Sequence, residues 1–384
     1  MSLIERICNK VERIWYSLCL KLPVDSRLIV FETERDFWDN GWALYDYMNC
    51  NNLDYKYVWI VANPNKFHKT KNTTFCSRFG NGIHWKSKYY YARARYVIFT
   101  HWTDDLKRVK GQTSIYMGHG LPLKREKSTI RKVFFDYGIS IGKESNKYHA
   151  MFLNCNENEM IPLGYPRNDL LLKNIGDGKN NPIGDMGQYA KVILWMPTFR
   201  ASLNRNLSEN SCDTDTGLPL LSSEAKLRNF DEYLKSKNVM LLVKVHRLQA
   251  DKEVFHNTFF NIRIITDDIL VENNLQLYQF VGKTDALISD YSSVSVDYLL
   301  LNKPIGYILD DMEQYSKERG FCFDNVLDVM PGHHIYTEQE LRDFVNDIVC
   351  NKDLFENQRT LVCHKYHDSY QGDACEKFVS FFKM

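Results

Sequence analysis

Four short apolar runs in this chain each end in residues of the kind that handle phosphate. Residues 114–117 lead into Gly118-His119-Gly120-Leu121-Pro122-Leu123-Lys124-Arg125, and residues 191–196 lead into Pro197-Thr198-Phe199-Arg200. Residues 239–243 lead into Lys244-Val245-His246-Arg247, and residues 286–288 lead into Ser289-Asp290-Tyr291-Ser292-Ser293. Together the four endings supply two histidines, five cations and several hydroxyls, with few carboxylates. An anionic, phosphate-bearing ligand asks for this set, because Arg and Lys neutralise charge and a histidine exchanges a proton near neutral pH. His119 lies between two glycines, which let the backbone turn tightly and a ligand approach closely. A lone loop histidine is more often structural than catalytic, but these glycines and the following Lys124-Arg125 tip the reading towards chemistry. The last ending continues into a helix-like segment, which puts Ser292, Ser293 and unpaired backbone N–H groups at a helix N-terminus, a setting that favours an anion. The same serines also suit plain helix capping, with Asp297 as an acid in the first turn.

The elements that must position these residues follow from the hydrophobic pattern. After Pro23, the runs 27–31, 55–61, 96–100 and 114–117 read as buried strands, with helices over 40–50 and 86–95 between them. The runs 191–196, 239–245, 262–265 and 286–289 form a second series, with helices over 227–237 and 293–301. Such alternation predicts βαβ units and mostly parallel sheets. Ligands collect beyond the carboxyl ends of the strands in such sheets. The Gly-, Asn- and Asp-rich stretch 174–188 reads as an interdomain linker, and the polar, aperiodic stretch 201–223 as a mobile surface loop. The predicted division is an N-terminal helix (1–22), an acceptor-side Rossmann-like domain (23–178), a nucleotide-binding Rossmann-like domain (188–358) and a C-terminal helix (359–384) that crosses back to the first domain.

At 384 residues the chain is long for one hydrophobic core, so two domains are expected. Forty-nine Lys and Arg balance 48 Asp and Glu, which excludes a general nucleic-acid coat and leaves basic sites to local clustering. The 10 cysteines are scattered with no Cys-x-x-Cys, so reduced thiols of a cytosolic protein are expected rather than a disulfide scaffold or zinc ribbon. No apolar run approaches the roughly 20 residues of a membrane span, and the N-terminus lacks the apolar core of a secretion signal. The first residues carry another pattern. Apolar residues recur at Leu3, Ile4, Ile7, Val11, Ile14, Trp15 and Leu18, while Arg6, Lys10, Arg13 and Lys21 occupy much of the other face. This is a basic amphipathic helix, suited either to packing on its own domain or to an anionic membrane surface.

Rival chemistries lack their motifs. Gly80-Asn81-Gly82 has no third glycine and follows no strand, and there is no Walker loop or Gly-x-Ser-x-Gly elbow. Cys363-His364-Lys365-Tyr366-His367 offers metal-ligand types at helical spacing but no second cluster nearby.

The ordered motifs resemble those of the CDP-glycerol glycerophosphotransferases, the teichoic acid primases and polymerases. MGHGLPLK (Met117 to Lys124) is similar to the family's WHGTPLK. In the same order come GYPRND (Gly164 to Asp169), MPTFR (Met196 to Arg200), KVHR (Lys244 to Arg247) and SDYSSVSVDYLLLNKP (Ser289 to Pro304). FETERDFWDNGWALYDYM is similar to an early family segment in which an Asp-Asn pair, here Asp39-Asn40, precedes a helix. The resemblance implies a GT-B fold, two doubly wound Rossmann-like domains facing a central cleft, with the nucleotide held mainly by the second. It implies attack of an acceptor hydroxyl on the distal phosphorus of a CDP-polyol, forming a phosphodiester and releasing CMP, without cofactor or metal. His119 is then the general base and His246 the histidine on the donor phosphates. Ser292 and Ser293 hold the pyrophosphate, Arg167, Arg200 and Lys244 act as charge partners, and Thr198 and Asp290 complete the donor side. Asp297 reaches a donor hydroxyl or simply favours the helix dipole. Asp39, Asn40, Lys124 and Arg125 fall on the acceptor side. The partners implied are CDP-glycerol or a related CDP-polyol, a lipid-linked glycan acceptor, and the cytoplasmic face of the membrane through the N-terminal helix, with no nucleic acid.

Two positions depart from the family pattern. The threonine after His-Gly is Leu121, which removes a hydroxyl near the base, and the proline after the second histidine is Arg247, which adds a charge. They leave open a different donor, such as CDP-ribitol, or a different acceptor. A GT-B enzyme that moves a sugar, and a membrane-associated nucleotide-binding protein without turnover, are the alternatives.

Overall fold

The alternation resolves into parallel sheets. The computed structural model describes residues 3–78, 84–101, 109–125, 133–173, 186–198, 214–245, 252–368 and 370–384. The expected linker therefore lies almost wholly outside the described residues. Among them the first sheet contains β1 (Asp25–Glu32), β2 (Lys56–Val61), β3 (Thr73–Ser77), β4 (Ala94–Phe99), β5 (Thr113–Tyr116), β6 (Tyr137–Ile139) and β7 (Met160–Ile161), in the order β3-β2-β1-β4-β5-β6-β7. The second contains β8 (Lys191–Trp195), β9 (Val239–Lys244), β10 (Ile262–Ile265), β11 (Ala286–Ser289), β12 (Ile305–Ile308) and β13 (His333–Ile335), in the order β10-β9-β8-β11-β12-β13. Neighbouring strands run parallel throughout. Central strands are covered on both faces, which is why β9 reads as the continuous run VMLLVK with every residue buried. Each sheet reverses strand order at one point, between β1 and β4 and between β8 and β11. Ligands of doubly wound sheets bind at such switch points.

Helices connect the strands. They are α1 (Leu3–Cys19), α2 (Asp39–Cys50), α3 (Trp85–Arg93), α4 (Asn146–Leu153), α5 (Pro166–Leu172), α6 (Glu224–Lys237) and α7 (Asp267–Glu272). Then follow α8 (Leu277–Val281), α9 (Val294–Tyr298), α10 (Met312–Glu318), α11 (Glu338–Val349), α12 (Glu356–His367) and α13 (Ala374–Phe382). The helix expected over 293–301 is α only for five residues and then tightens to a 3-10 turn. The loop reading of 201–223 fails for its described part. Leu218 and Leu221 lie in the core of the second sheet, and the Thr216 hydroxyl donates to the Leu221 carbonyl at 2.7 Å.

The chain forms two compact units. Met1–His119, Ser128–Asp169 and Tyr370–Met384 make one, and Gly120–Lys127 and Leu170–Ser369 the other. In the first, α1 docks one face on α3. Trp15 meets Trp85 edge-on at 5.1 Å and donates its indole N–H to the Trp85 carbonyl, while Tyr16 and Cys19 are buried. A second face of α1 is uncovered, with Ile7, Ile14 and Leu18 all more than half exposed.

Helix α13 belongs to this first unit through Asp169. The Asp169 carboxylate accepts the backbone N–H groups of Ala374 (3.0 Å) and Cys375 (2.9 Å) and the Tyr370 hydroxyl. It acts as a helix cap supplied from another part of the chain. Ala374, Cys375 and Phe378 are buried beneath it. Burial and the neighbouring carboxylate push the Tyr370 phenol well above its ordinary value, so it stays a donor. Replacing Asp169 strands three donors, two of them buried backbone N–H groups. Asp169→Ala is expected to lower stability by about 2–4 kcal/mol in urea unfolding, with Asp169→Asn losing less.

Candidate active site

In the first unit, β1 ends at Glu32 and the chain runs on to Asp39 and Asn40 in the opening turn of α2, while β5 ends at Tyr116 and turns through Gly118-His119-Gly120. Gly118 and Gly120 hold φ of 63° and 116°, and a Cβ on Gly118 would stand 2.9 Å from the Tyr165 hydroxyl. Only glycine fits there.

Arg167 on α5 ties the two segments together. Its Nη1 donates to both Asp39 carboxylate oxygens at 3.0 and 3.1 Å, and its Nη2 donates to the His119 carbonyl at 2.8 Å. Asn40, fully buried, donates to the Gly118 carbonyl at 3.3 Å and accepts the Arg167 backbone N–H at 3.1 Å. The His119 ring lies between two carboxylates. Its Nδ1 is 3.6 Å from Asp39 Oδ2 and its Nε2 is 3.6 Å from Glu34 Oε2. The ring is 43% exposed and Glu34 69% exposed, so the Nε2 side of the ring lies at the surface. Burial alone would raise the Asp39 carboxyl, but the Arg167 charge and then His119 outweigh it and hold the group at about 2. Asp39 is therefore a fixed anion behind the histidine.

A deeper layer escaped the sequence reading. Glu32, almost fully buried, forms an ion pair with Arg78 (Nε to Oε1 2.8 Å), accepts the Tyr91 hydroxyl, and stands 3.6 Å from His101 Nε2. Burial, then the charges of Arg78 and His119, push His101 down to about 4, so it is neutral at neutral pH. Glu32, Glu34 and His101 all stand at or just past a strand's carboxyl end, the criterion that singled out His119.

In the second unit, the endings of β8 and β11 meet across the switch point. The Thr198 backbone N–H donates to Asp290 at 2.7 Å, and its hydroxyl donates to the other carboxylate oxygen. Asp290 is buried and thus fixes Thr198. Tyr291 is buried too, stacked on Tyr315 at 4.3 Å with its hydroxyl donating to Asp311. Ser292 and Ser293 are half-buried at the start of α9, and the Ser293 side chain makes no capping bond to that helix. With only five residues in α9, the hydroxyls recommend this loop for an anion more than the helix dipole does.

Several expected site residues have other surroundings. Arg167 is 5% exposed and its charge is spent on Asp39, so it positions the first site rather than meeting phosphate. Lys244 is buried in an ion pair with Asp267 at 2.9 Å. Asp297 is fully buried and accepts the Tyr278 hydroxyl at 2.5 Å, which removes it from a ligand-facing surface. Lys124 and Arg125 belong to the second unit, where Lys124 bridges to Phe321 and the Arg125 N–H donates to the Gly320 carbonyl. Arg200, His246 and Arg247 lie outside the described residues. Among the described residues no group of three His, Cys, Asp or Glu side chains is placed to hold a metal. His367, of the Cys363–His367 run, is buried and its Nε2 contacts the Val296 carbonyl at 2.9 Å.

Residues 14–382 match the family described as CDP-Glycerol:Poly(glycerophosphate) glycerophosphotransferase. The chain belongs to that family. It is 27% identical over 379 residues to the teichoic acid poly(glycerol phosphate) polymerase of Staphylococcus epidermidis, covering 88% of this chain and 47% of that one. It is 25% identical over 397 residues to the teichoic acid glycerol-phosphate transferase of Staphylococcus aureus, covering 94% of each. The chain thus spans about half the length of the S. epidermidis polymerase and nearly all of the S. aureus transferase. A structure of the wall teichoic acid polymerase TagF, 21% identical, matches with a TM-score of 0.76 over 99% of this chain and 95% of that one. This glycerophosphotransferase family member therefore has the two-sheet α/β fold of the GT-B type.

The Asp39–Arg167 pair gives a pH dependence of definite sign. The folded value of Asp39, about 2, lies below the ordinary 3.8. Its stabilisation is present above about pH 4 and lost as pH falls through about 2, and amounts to about 2 kcal/mol. Asp39→Asn is expected to be about 3 kcal/mol less stable at neutral pH, because Arg167 is left buried and unpaired. The same variant should lose less than wild type on acidification, as urea unfolding across that range will show.

Proposed function

We propose that this chain transfers a polyol phosphate, glycerol phosphate first, from a CDP-activated donor to a hydroxyl of a membrane-linked glycan or teichoic-acid-like acceptor. The observation that carries the proposal is His119, backed by the fixed anion Asp39 on Nδ1 and facing the exposed Glu34 carboxylate on Nε2, in a chain of the glycerophosphotransferase family. The acceptor hydroxyl docks at Nε2 beside Glu34. As its oxygen bonds to the distal phosphorus, its proton passes to Nε2. The bond from that phosphorus to the bridging oxygen breaks, and CMP leaves with the electron pair. Asp39 stabilises the imidazolium that forms, and Arg167 keeps Asp39 ionised. Such a displacement leans on positioning and charge rather than covalent catalysis. The hydroxyls of Ser292 and Ser293 suit the donor phosphates, joined by Arg200 and His246 on the strength of their motifs, while Thr198 is held on Asp290 beside them.

Two further facts support glycerol as the first donor to test. The first four comparisons, aligned over 84–94% of this chain, are all with relatives named for glycerol phosphate, while two glycerol-phosphate primases and the ribitol-phosphate enzymes align over 49–64%. A variant of TagF was solved after a soak with CDPG.

The acceptor's membrane setting gives α1 a role. Its exposed Ile7, Ile14 and Leu18 form one stripe, continued by the exposed Leu22 and flanked by exposed Lys10, Arg13 and Lys21. No helix among the described residues is long and apolar enough to cross a membrane, so attachment through this stripe is interfacial. Co-sedimentation with vesicles rich in phosphatidylglycerol should fall about 10-fold for Ile14→Asp with Leu18→Asp. The unfolding midpoint should hardly move, because both side chains already face water.

The deciding assay is CMP release from CDP-glycerol and from CDP-ribitol with a lipid-linked acceptor analogue. One donor should support release, and His119→Ala should lower it by about 100-fold or more. Consumption of a UDP- or GDP-sugar instead would transfer the protein to the sugar-moving class, and nucleotide binding without turnover would leave a binding protein.

A further inference from the structure

The turn that carries Asp39 has an unusual backbone. Phe37 and Asp39 hold φ of 58° and 60°, with Trp38 extended between them at −141°. The left-handed region is costly for a residue with a Cβ, and most of all for a bulky one. Such a conformation persists only where the surroundings over-determine it.

The surroundings here are aromatic. The Phe37 ring meets Tyr45 at 5.4 Å, Trp59 at 4.8 Å, Phe67 at 5.5 Å and Phe75 at 5.3 Å. Trp59 is itself stacked on Phe31 at 4.8 Å. On either side of Phe37 the turn is pinned again. The Asp36 carboxylate accepts the backbone N–H groups of Ala62 and Asn63 at 2.7 and 3.3 Å. Gly41 lies so close to the sheet that a Cβ would stand 2.6 Å from Thr33 Cγ2 and 3.2 Å from the Trp59 ring. Asp39 lies between these pins, and its carboxylate meets Arg167 and His119.

We infer that Phe37 is a positioning residue for the transfer reaction: its ring, seated in the aromatic box, holds the turn in the conformation that aims the Asp39 carboxylate at His119 Nδ1. Phe37 acts through Asp39, and the inference rests on the reading of His119 as the base. Loosening the box lets the turn relax and the Asp39–His119 alignment blur, and misplacement on the scale of 1 Å costs on the order of 100-fold in rate.

The test combines kinetics with a readout of the His119 ring. In Phe37→Leu, kcat for CMP release from CDP-glycerol should fall about 10- to 100-fold with KM for the donor nearly unchanged. Phe37→Tyr, which keeps the ring, should restore it. In an Asp39→Asn background Phe37→Leu should cost nothing further, because the interaction it supports is already gone. Long-range 15N–1H spectra of 15N-histidine-labelled protein, assigned with His119→Gln, should show neutral His119 protonated on Nδ1 in wild type and Phe37→Tyr, and a mixture of tautomers in Phe37→Leu. An unchanged His119 tautomer in Phe37→Leu, or kinetic losses that add to those of Asp39→Asn, would overturn the inference. If wild type released CMP from no donor, the transferase reading would fail while the tautomer spectrum still decided the role of Phe37. Should Phe37→Leu not fold, Phe67→Leu loosens the same box one ring further out and takes the same measurements.

Discussion

The buried ion pair between Asp39 and Arg167 is the interaction on which the first site depends. Arg167 reaches three things at once: the carboxylate on α2, the His119 carbonyl in the turn after β5, and, through its own backbone N–H, the amide of Asn40. A buried guanidinium tolerates no loss of its counter-charge, so the pair and the turn stand or fall together. The guanidinium holds the carboxyl well below the ordinary carboxylate range, which makes Asp39 a fixed negative charge beside the imidazole.

The two sheets solve similar problems with different chemistry. Each doubly wound sheet brings loops from non-adjacent segments to one reversal of strand order. In the first unit the loops are joined by charge, Asp39 with Arg167. In the second they are joined by a neutral donor on a carboxylate, Thr198 on Asp290. The charged tie stands behind His119, whereas the neutral tie is followed by Ser292 and Ser293 in a half-buried loop. Such a division suits a reaction whose protein groups orient and stabilise rather than bond to the substrate.

Much of this was legible in the sequence, and what was missed shares a cause. Central strands such as β1, β8, β9 and β11 announce themselves as continuous apolar runs because helices cover both faces. β3, β6, β7, β12 and β13 did not. β7 has two residues, and β13 reads His-His-Ile, so neither carries a usable period. The strand-end rule put His119, Thr198, Asp290 and the serine pair just past strand ends, where the structure has them, since topology alone places those. It misjudged Arg167 and Lys244, because composition shows a charge and not its partner. The counter-ion of Arg167 lies 128 positions away in sequence. Leu218 and Leu221 were hidden in polar surroundings, and nothing in the letters Asp-Phe-Trp-Asp marks two of the four for the left-handed region.

The cap that Asp169 places on α13 bears on how the chain is made. Asp169 leaves the ribosome some 205 residues before Ala374, the helix residue it binds. At about 5–20 residues per second, that is roughly 10 to 40 s. During this interval the first sheet exists without its final helix, its capping carboxylate without the helix it binds, while Leu170–Ser369, the bulk of the second unit, is synthesised and has time to collapse. The unit that starts first is therefore the one that is finished last, and nascent chains halted anywhere within Leu170–Ser369 carry a first unit that is built but not closed.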